Sequence, residues 1–475
     1  MSWKMNLEEL VAGTQGKVIS QHTREFSGVG TDTRQDLSGK IFVALKGDTF
    51  DANQFLTRAF EANAAAVVTH DISAATVIAN SVTVILVDDT LKAIQKLGNF
   101  WRRKMPAFIL GVTGTNGKTT TKEFTAALIA SKKNVQYSKG SFNNHWGVPI
   151  SLLSIEPKHE VAVIEMGMNH PGELKDLSQI AEPDAVLCTM VGRGHLEGVG
   201  SIEGVAKAKA EIYQYAPEKS FRIFNIEDEH TRKMFETFGK NLPAGKVLTF
   251  ASQGEWPSVD VSFEIIDVGL ETLKIRGQIQ GVAGETSVPV FGKQNVTNLM
   301  AASCFALVSG LTPAEVWAAL PRCKNTWGRN QWVDLQSGAR ALFDAYNANP
   351  ESMRAAIENF GDLKIKGRKF AVLGEMRELG DHAPKLHFEL GVSAAKAGFE
   401  QICFVGPNHE QFTLGLRQGG FTKTPMVSAS YEQSLATKAL PVLDQTDLVL
   451  IKGSRGMQLE KALADLKPVS FESKK

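Results

Sequence analysis

The chain has 475 residues, of which 43% are hydrophobic and 22% charged, a balance typical of folded globular proteins rather than disordered or fibrous ones. Its 52 lysines and arginines nearly match its 51 aspartates and glutamates, so no overall charge attracts nucleic acid or anionic lipid, and we expect no nucleic-acid partner. This length favours two to four domains, and we take three as the working number.

The start of the chain, MSWKMNLEELVAG, has no secretory apolar stretch, and no apolar run reaches the ~20 residues that span a bilayer. We therefore expect a cytoplasmic protein without membrane insertion. The four cysteines are scattered singly, which predicts buried thiols rather than disulfides or a zinc site.

Three α/β units follow one another along the chain. Residues 1–105 alternate short apolar runs with helical stretches and end in the helical segment DTLKAIQKLGNFWRRKM. In residues 106–320 the apolar segments AFILGV, VAVIEM and AVLCTM alternate with amphipathic ones, the pattern of a parallel sheet flanked by helices. This unit includes a β-rich excursion over 246–291. Residues 321–475 predict a third α/β unit, with strands near ALFDAY, FAVLGE, QICFVG and LVLIKG.

The segment GVTGTNGKTTTKEF predicts a strand, a glycine-rich turn and a helix that begins near Lys118, an arrangement that aims backbone N–H groups at an anion. The strict pattern GxxxxGK[ST] is missed, because a valine stands at its first glycine position. Gly114 and Gly117 still allow tight turns, Lys118 suits the phosphates of a nucleotide, and Thr119 suits magnesium. An ordinary glycine-rich turn is the alternative, which the lysine and hydroxyls in this order disfavour.

Two further polar residues stand where strands of the same sheet should end. Glu165 follows VAVI, and His195 lies in the loop after AVLCTM. Ligands of open α/β sheets bind beyond the carboxyl ends of the strands, so both residues are candidate metal ligands beside the turn. Taken singly, each is better explained as a surface carboxylate or a loop histidine, but their shared placement favours the metal-ligand interpretation.

Two lysines in SIEGVAKAKAEIYQY are separated by the helical period. Lys209 shares the apolar face with Val205 and Ile212, whereas Lys207 lies four residues from both Glu203 and Glu211. Lys207 is therefore predicted to form solvated ion pairs. Burial would lower the pKa of Lys209 and leave an amine that can be modified, although a snorkelling lysine gives the same pattern.

Segments across nearly the whole chain resemble the Mur ligases, enzymes that build the peptide of peptidoglycan and share a superfamily with folylpolyglutamate and cyanophycin synthetases. The segments are TDTRQDLSGKIFVALKGDTFDANQF, GTNGKTTTKE, GSFNNHWGVPISLL, EMGMNHPGE, VGRGHLEGVGS, AKAKAEI, GKQNVTNLMAA, DAYNANPESM, VLGEMRELGDH and LIKGSRGMQLEK. The resemblance implies a domain for the UDP end of the substrate (1–105), a central P-loop-type ATP-binding domain (106–320) and a Rossmann-like domain that closes over the site (321–475).

The resemblance also implies roles for individual residues. The implied ATP-binding residues are Thr113, Gly114, Thr115, Asn116, Gly117, Lys118, Thr119, Thr120, Asn295, Asn298 and Arg329. The implied Mg²⁺ ligands are Thr119, Glu165, His195 and a carbamylated Lys209. The implied catalytic residues are Lys118, carbamylated Lys209, His195, Asp344 and Asn347. The implied UDP-substrate residues are Thr33, Arg34, Lys46, Gly47, Asn143 and Asn144. For Asn295 and Asn298, helix capping is the alternative.

The implied activity is ATP-dependent joining of D-alanyl-D-alanine to UDP-N-acetylmuramoyl-tripeptide through an acyl phosphate. DAYNANPES favours this dipeptide-adding type, and the Asp-Asn-Pro-Arg motif of single-amino-acid ligases is absent. A sister ligase that adds one amino acid, a folate ligase and a P-loop ATPase without ligation are the alternatives. The third peptide residue, diaminopimelate or lysine, stays open, and we expect a monomer. Where many relatives carry a histidine, this chain has Asn53, so a histidine contact to the substrate is not expected.

Overall fold

The fold is described from a computed structural model, over residues 3–47, 50–138, 140, 142–243, 245–252, 254 and 258–471. The first unit contains β1 (Met5–Asn6), α1 (Leu7–Thr14), β2 (Lys17–Ser20), β3 (Glu25–Phe26), β4 (Val29–Gly30), β5 (Ile41–Val43), α2 (Leu56–Glu61), β6 (Ala66–Thr69), α3 (Ile72–Ile78), β7 (Thr83–Leu86) and α4 (Thr90–Lys104). Among these residues, five strands form a sheet in the order β2-β7-β6-β5-β4, and β1 pairs with β3.

Helix α4 leads out of the first unit and matches the predicted helical segment. The Asp89 side chain caps it by accepting hydrogen bonds from the backbone N–H groups of Leu91 and Lys92. Its apolar face buries Leu97 and Trp101, and the Trp101 indole donates to the Ile155 carbonyl oxygen of the second unit at 2.8 Å. The helix therefore fixes the first unit against the second.

The second unit holds the largest sheet. Its elements are β8 (Phe108–Thr113), α5 (Lys118–Ile129), β9 (Val135–Tyr137), α6 (Gly147–Leu153), β10 (Val161–Glu165), α7 (Glu173–Ala181), β11 (Ala185–Cys188), α8 (Leu196–Val199), α9 (Ile202–Gln214), β12 (Phe221–Asn225), α10 (Glu229–Phe238), β13 (Val247–Phe250), β14 (Val261–Val268), β15 (Leu273–Ile279), β16 (Val282–Val288), α11 (Asn295–Val308) and α12 (Pro313–Ala319). The strand order over the described residues is β16-β15-β14-β13-β12-β11-β8-β10-β9. Strands β8 to β13 are parallel, and the predicted β-rich excursion extends this sheet through the antiparallel strands β14 to β16.

The third unit contains β17 (Gln331–Asp334), β18 (Arg340–Asp344), α13 (Pro350–Gly361), β19 (Lys369–Gly374), α14 (Ala383–Ala395), β20 (Gln401–Val405), α15 (His409–Gln418), β21 (Met426–Ser428), α16 (Leu435–Ala439), β22 (Leu448–Lys452) and α17 (Glu460–Asp465). Its sheet has the order β17-β18-β22-β19-β20-β21, parallel except for β17. The four predicted strands form its centre, whereas the edge strands β17 and β21 were not predicted.

The three sheets confirm the predicted α/β class, and in the described part of the chain no sheet crosses residue 105 or residue 320. We propose these two positions as the domain boundaries. All four cysteines are buried and free. None of the described helices is both long enough and apolar enough to cross a bilayer.

The strand order decides where the functional groups meet. Strands β11, β8 and β10 are neighbours and run parallel, so the loops that follow them leave the same edge of the sheet. The polar residues after each of these strands therefore converge.

Candidate active site

The glycine loop, residues 114–117, connects β8 to α5 in a conformation that requires its two glycines. Gly114 has a φ of 143° and Gly117 a φ of 83°. A Cβ at Gly114 would lie 1.9 Å from the Thr189 hydroxyl oxygen, and one at Gly117 would lie 2.3 Å from Asn298 Oδ1. No described side chain caps α5, so its first backbone N–H groups are available to an anion.

Lys118 folds back over the glycine loop. Its Nζ donates to the carbonyl oxygen of Gly114 at 2.7 Å and to that of Thr115 at 3.3 Å. Burial lowers the pKa of Lys118, and Glu165 opposes that shift. The Lys118 ammonium therefore lies between the loop carbonyl oxygens and the N-terminus of α5, where an anionic ligand would bind.

Glu165 ends β10 and joins the glycine-loop helix to neighbouring loops. Its carboxylate accepts hydrogen bonds from the Thr119 hydroxyl and from Asn143 Nδ2, both at 2.8 Å. Arg329 of the third unit donates to the same Thr119 oxygen at 2.8 Å. A hydroxyl and a carboxylate are ligands that Mg²⁺ accepts alongside water and phosphate oxygens, so these donors fit that ion. No cluster of three His, Cys, Asp or Glu side chains suited to a metal occurs among the described residues.

Lys122 contacts both Glu165 and the loop before Asn143, and its role was not predicted. Its side chain is fully buried, and Nζ donates to the carbonyl oxygens of Ser138 at 2.6 Å and Gly140 at 2.8 Å. The same Nζ lies 3.8 Å from Glu165 Oε2. Lys122 thus connects the loop that leads to Asn143 with the carboxylate that Asn143 contacts. Its position one turn after Lys118 was the available signal in the sequence.

His195 immediately precedes α8 with a left-handed backbone, at a φ of 61°. Its Nδ1 lies 2.7 Å from Glu378 Oε2 of the third unit. Burial lowers the pKa of His195, Glu378 opposes the shift, and Lys118 and Lys209 reinforce it. These surroundings favour the neutral imidazole, which is the form that can bind a metal.

Lys209 lies on the buried face of α9, as the helical period predicts, and only 1% of it is exposed. Burial lowers its pKa to about 7, with Lys118 lowering it further and the Cys188 thiol opposing. A substantial fraction of the amine is then neutral near pH 7. Lys207 is exposed, as expected. The prediction that it forms ion pairs is wrong among the described residues. The Glu211 carboxylate instead accepts hydrogen bonds from the backbone N–H groups of Gly172 and Lys175.

Asn295 and Asn298 are buried at the start of α11 and bonded to each other. Asn298 Nδ2 donates to Asn295 Oδ1 at 3.1 Å, and Asn295 Nδ2 donates to the Phe291 carbonyl oxygen at 2.7 Å. The capping alternative is wrong, because the residue in the cap position is Gln294, whose side chain makes no cap hydrogen bond.

The third unit contributes a second group of polar residues. The Arg329 guanidinium stacks over Tyr346, 4.4 Å from the ring centroid. Lys452, a buried residue that was not predicted, ends β22 and donates to Asp344 Oδ2 at 2.6 Å and to the Asn347 carbonyl oxygen at 3.3 Å. The LIKG segment placed this lysine at a strand end, which was the signal available.

Two contacts join the second and third units beside the glycine loop. The side-chain amides of Asn116 and Asn349 donate to each other's oxygens at 3.1 and 2.7 Å. Arg193 donates through its backbone N–H and through Nε to the Glu351 carboxylate at 3.0 and 2.9 Å. The loop that carries His195 is therefore anchored to the third unit.

These groups surround one cavity of about 500 Å³, which we call the central cavity. The predicted residues that line it are Thr115, Asn116, Gly117, Lys118, Thr119, Thr120, Asn143, Asn144, Glu165, His195, Asn295, Asn298, Arg329, Asp344 and Asn347. Thr113 and Gly114 do not line it, because Thr113 is buried at the end of β8 and the Gly114 carbonyl is bonded to Lys118. Lys209 also lies outside its lining, on the buried face of α9.

Four predicted residues of the first unit are not brought to the central cavity. Thr33 and Arg34 lie between β4 and β5, and the Arg34 guanidinium is engaged by Asp32 at 2.9 and 2.8 Å while 89% of its side chain is exposed. Lys46 Nζ lies 3.7 Å from Asp51, and the Gly47 N–H donates within its own turn. Their local sequence holds them at the surface.

Comparisons with known proteins agree along the whole chain. Residues 112–306 match the Mur ligase middle domain, and residues 328–455 match the Mur ligase glutamate ligase domain. The chain is 34% identical to the UDP-N-acetylmuramoyl-tripeptide--D-alanyl-D-alanine ligase of Bacillus subtilis (strain 168), over 97% of each chain. It is 31% identical to the ligase of that name from Escherichia coli (strain K12), over 92% of this chain and 93% of the other.

Solved structures show the same likeness. MurF from Acinetobacter baumannii superposes with a TM-score of 0.86 and 27% identity, over 98% of each chain. MurF ligase from Thermotoga maritima in complex with ADP gives a TM-score of 0.77 and 26% identity, over 92% of this chain and 96% of that one.

Proposed function

The chain belongs to the Mur ligase family, and from that premise we infer its reaction. It is an ATP-dependent ligase that joins D-alanyl-D-alanine to UDP-N-acetylmuramoyl-tripeptide and releases ADP and phosphate. One structural observation carries this function: the glycine loop with Lys118 and the Arg329 and Asp344 groups of the third unit face one cavity. A nucleotide bound at the loop and a second substrate held by the third unit would meet there.

The carboxylate of the tripeptide must be activated, because its oxygen is a poor leaving group. We propose that the glycine-loop N–H groups and Lys118 bind the ATP phosphates and stabilise the charge of the γ-phosphoryl group as it passes to that carboxylate. Asn295 and Asn298 would contact the adenine at the other end of the nucleotide. Transfer forms a P–O bond to the peptide carboxylate, breaks the bond to ADP and yields an acyl phosphate.

Thr119 and Glu165 would hold Mg²⁺, with His195 and a carbamylated Lys209 as further ligands. When bound, the ion neutralises phosphate charge during transfer. The residues themselves favour this assignment, since Thr119 and Glu165 present hard oxygen donors and Lys209 has the lowered pKa that reaction with carbon dioxide needs.

The amine of D-alanyl-D-alanine, in its neutral form, then attacks the acyl carbon, and the tetrahedral intermediate expels phosphate as the peptide bond forms and the amine nitrogen releases a proton to solvent. We propose that Asp344 and Asn347 orient the amine. Both oxygens of Asp344 already accept hydrogen bonds, one from Lys452 Nζ at 2.6 Å and the other from the Asn330 N–H at 3.2 Å. Asp344 is therefore assigned to orientation rather than to proton abstraction.

Asn143 and Asn144 would contact the muramoyl part of the substrate, since both line the central cavity beside Glu165. Thr33, Arg34, Lys46 and Gly47 would contact its uridine nucleotide. We further propose that the enzyme acts as a monomer in the cytoplasm.

The test is ADP release measured with ATP, Mg²⁺, a UDP-N-acetylmuramoyl-tripeptide and D-alanyl-D-alanine, with each substrate omitted in turn. We expect release only with both substrates, and the UDP-N-acetylmuramoyl-pentapeptide as product by mass spectrometry. Using tripeptides that end in diaminopimelate and in lysine identifies the third residue. Release indifferent to both substrates would indicate an ATPase, and product formed with a free amino acid in place of the dipeptide would indicate a single-amino-acid ligase.

A further inference from the structure

Glu378 is the one acidic residue in the described part of the chain whose carboxylate contacts the His195 ring, and it comes from a different domain. Its Oε2 lies 2.7 Å from His195 Nδ1. That nitrogen is buried, and among the described residues its one polar contact is with this carboxylate. Leaving a buried ring N–H unsatisfied costs free energy, which favours this pairing.

The two loops are packed closely enough to fix the pair. The Glu197 N–H donates to the Glu378 carbonyl oxygen at 3.3 Å, and a Cβ at Gly380 would lie 3.4 Å from the Glu197 Cα. His195 and Glu378 both have left-handed backbones, with φ of 61° and 64°. Non-glycine residues hold such conformations only where the surroundings impose them, and they concentrate at functional sites.

A carboxylate at Nδ1 has a defined effect on an imidazole. It keeps the proton on Nδ1 and orients the ring, which leaves the Nε2 lone pair free for a ligand in the cavity that His195 lines. Glu378 itself does not line the central cavity, so it acts through His195 rather than on a substrate.

We propose that Glu378 is a positioning residue that sets the tautomer and orientation of His195, and that it does so only when the C-terminal domain is closed on the central domain. The proposal rests on the function proposed above, in which His195 faces the metal and nucleotide. Closure of the C-terminal domain then does more than exclude water, because it also fixes the tautomer and orientation of the His195 ring.

The chain offers a matched control in Glu389. Its carboxylate crosses the same domain boundary and lies 3.4 Å from Arg193 in the His195 loop, without contacting the His195 ring. If Glu378 merely strengthened closure, removing either glutamate would have a similar effect. If it positions the ring, only Glu378 matters to Mg²⁺.

The experiment uses calorimetry to measure the binding of a non-hydrolysable ATP analogue at increasing Mg²⁺ concentrations. No peptide substrate is present. For Glu378→Ala we expect the half-saturating Mg²⁺ concentration to rise roughly 10- to 100-fold, the usual cost of losing the partner of a metal-binding histidine. Glu378→Gln, which keeps the size and one acceptor oxygen, should show a smaller rise. Glu389→Ala should match the wild type.

A second measurement covers the case in which Glu378→Ala folds poorly. In protein labelled with ¹⁵N-histidine and bound to the analogue and Mg²⁺, the His195 ring signal, assigned with His195→Gln, should show the Nδ1–H tautomer in the wild type and in Glu378→Gln. An Nε2–H tautomer in the wild type, an unchanged Mg²⁺ requirement in the Glu378 variants, or equal shifts for Glu378→Ala and Glu389→Ala would overturn the proposal. None of these outcomes touches the ligation assay, so the proposed function stands or fails separately.

Discussion

The proposed nucleotide site and the proposed uridine site of this enzyme are built differently. Around the glycine loop, Thr119, Glu165 and Lys122 are buried and hydrogen-bonded to one another or to nearby backbone. In the N-terminal domain, Arg34 is almost fully exposed, and within the described part of the chain its guanidinium is bonded only to Asp32 of its own loop. The proposed phosphate site of the central domain is therefore preformed, whereas the side chains proposed for the uridine nucleotide include exposed ones such as Arg34.

This difference predicts which mutations should lower kcat and which should raise KM. A preformed site stabilises the transition state without reorganisation, so its residues should control turnover. Exposed side chains mainly contribute to substrate binding, so their loss should raise KM and leave kcat in place.

The largest effect is expected from Lys118→Ala. In the proposed mechanism its charge meets the phosphates at the N-terminus of α5, and the neighbouring residues of the glycine loop offer no replacement cation. We expect kcat to fall by roughly a thousandfold or more, measured as ADP release with both substrates. Lys132→Ala is the matched control, since Lys132 lies just beyond the same helix and pairs with Glu315 at 3.0 Å. Near-normal turnover by the Lys118 variant would remove the lysine from the mechanism.

Lys209→Ala should come next. If Lys209 is carbamylated and holds a metal, its removal should cost roughly a hundredfold in kcat, and a short carboxylic acid added to the assay should restore part of it. Lys207→Ala, two residues away on the exposed face of α9, should behave as the wild type. Full activity of Lys209→Ala without added acid would exclude the carbamate.

Arg34→Ala tests the other side of the comparison. We expect KM for the UDP-muramoyl substrate to rise by about tenfold, with kcat and the KM for ATP unchanged, because only uniform binding is lost. Initial-rate kinetics with each substrate varied in turn measures this. A fall in kcat comparable to that of Lys118→Ala would show that the two ends are not built on different principles.

The smallest effect concerns stability and its dependence on pH. The pKa of unmodified Lys209 is lowered from 10.5 to about 7, so below pH 7 folding is disfavoured by the full cost of burying the charged ammonium. The cost fades as the pH rises towards 10.5, where the unfolded lysine is also neutral. In buffer free of carbon dioxide, Lys209→Met should therefore raise Tm most at pH 6 to 7 and least near pH 10.

Lys207→Met serves as the reference in these melting experiments, and Arg34→Ala should leave Tm unchanged at every pH because its side chain is exposed. A Tm gain for Lys209→Met that grew with pH would reverse the sign and contradict the buried amine.

Much of the central domain could be predicted from sequence because its signals are local. Apolar runs gave the buried strands, the helical period separated Lys209 from Lys207, and the parallel order placed Glu165 and His195 at one edge. The edge strands β17 and β21 were missed because they are short and only partly buried, with no continuous apolar run.

The residues that sequence reasoning missed share a physical cause. Lys122 and Lys452 are lysines, which are ordinarily solvated, and only tertiary contacts make them buried donors to backbone carbonyls or to Asp344. The role proposed for Glu378 depends on its contact with His195 in another domain, and no local sequence pattern predicts such a contact. The individual roles proposed for the nucleotide and uridine residues stay predictions that the variants above address.

The central cavity has walls from both the central and the C-terminal domain, with Lys118 on one side and Asp344 on the other. A small molecule that filled it and bonded to both walls would tie the two domains together. The molecule could then dissociate only when the two domains separate. We therefore expect its residence time to depend on its hydrogen bonds to both domains more than on the surface area that it buries. Inhibitors could be ranked by that criterion before their affinities are known.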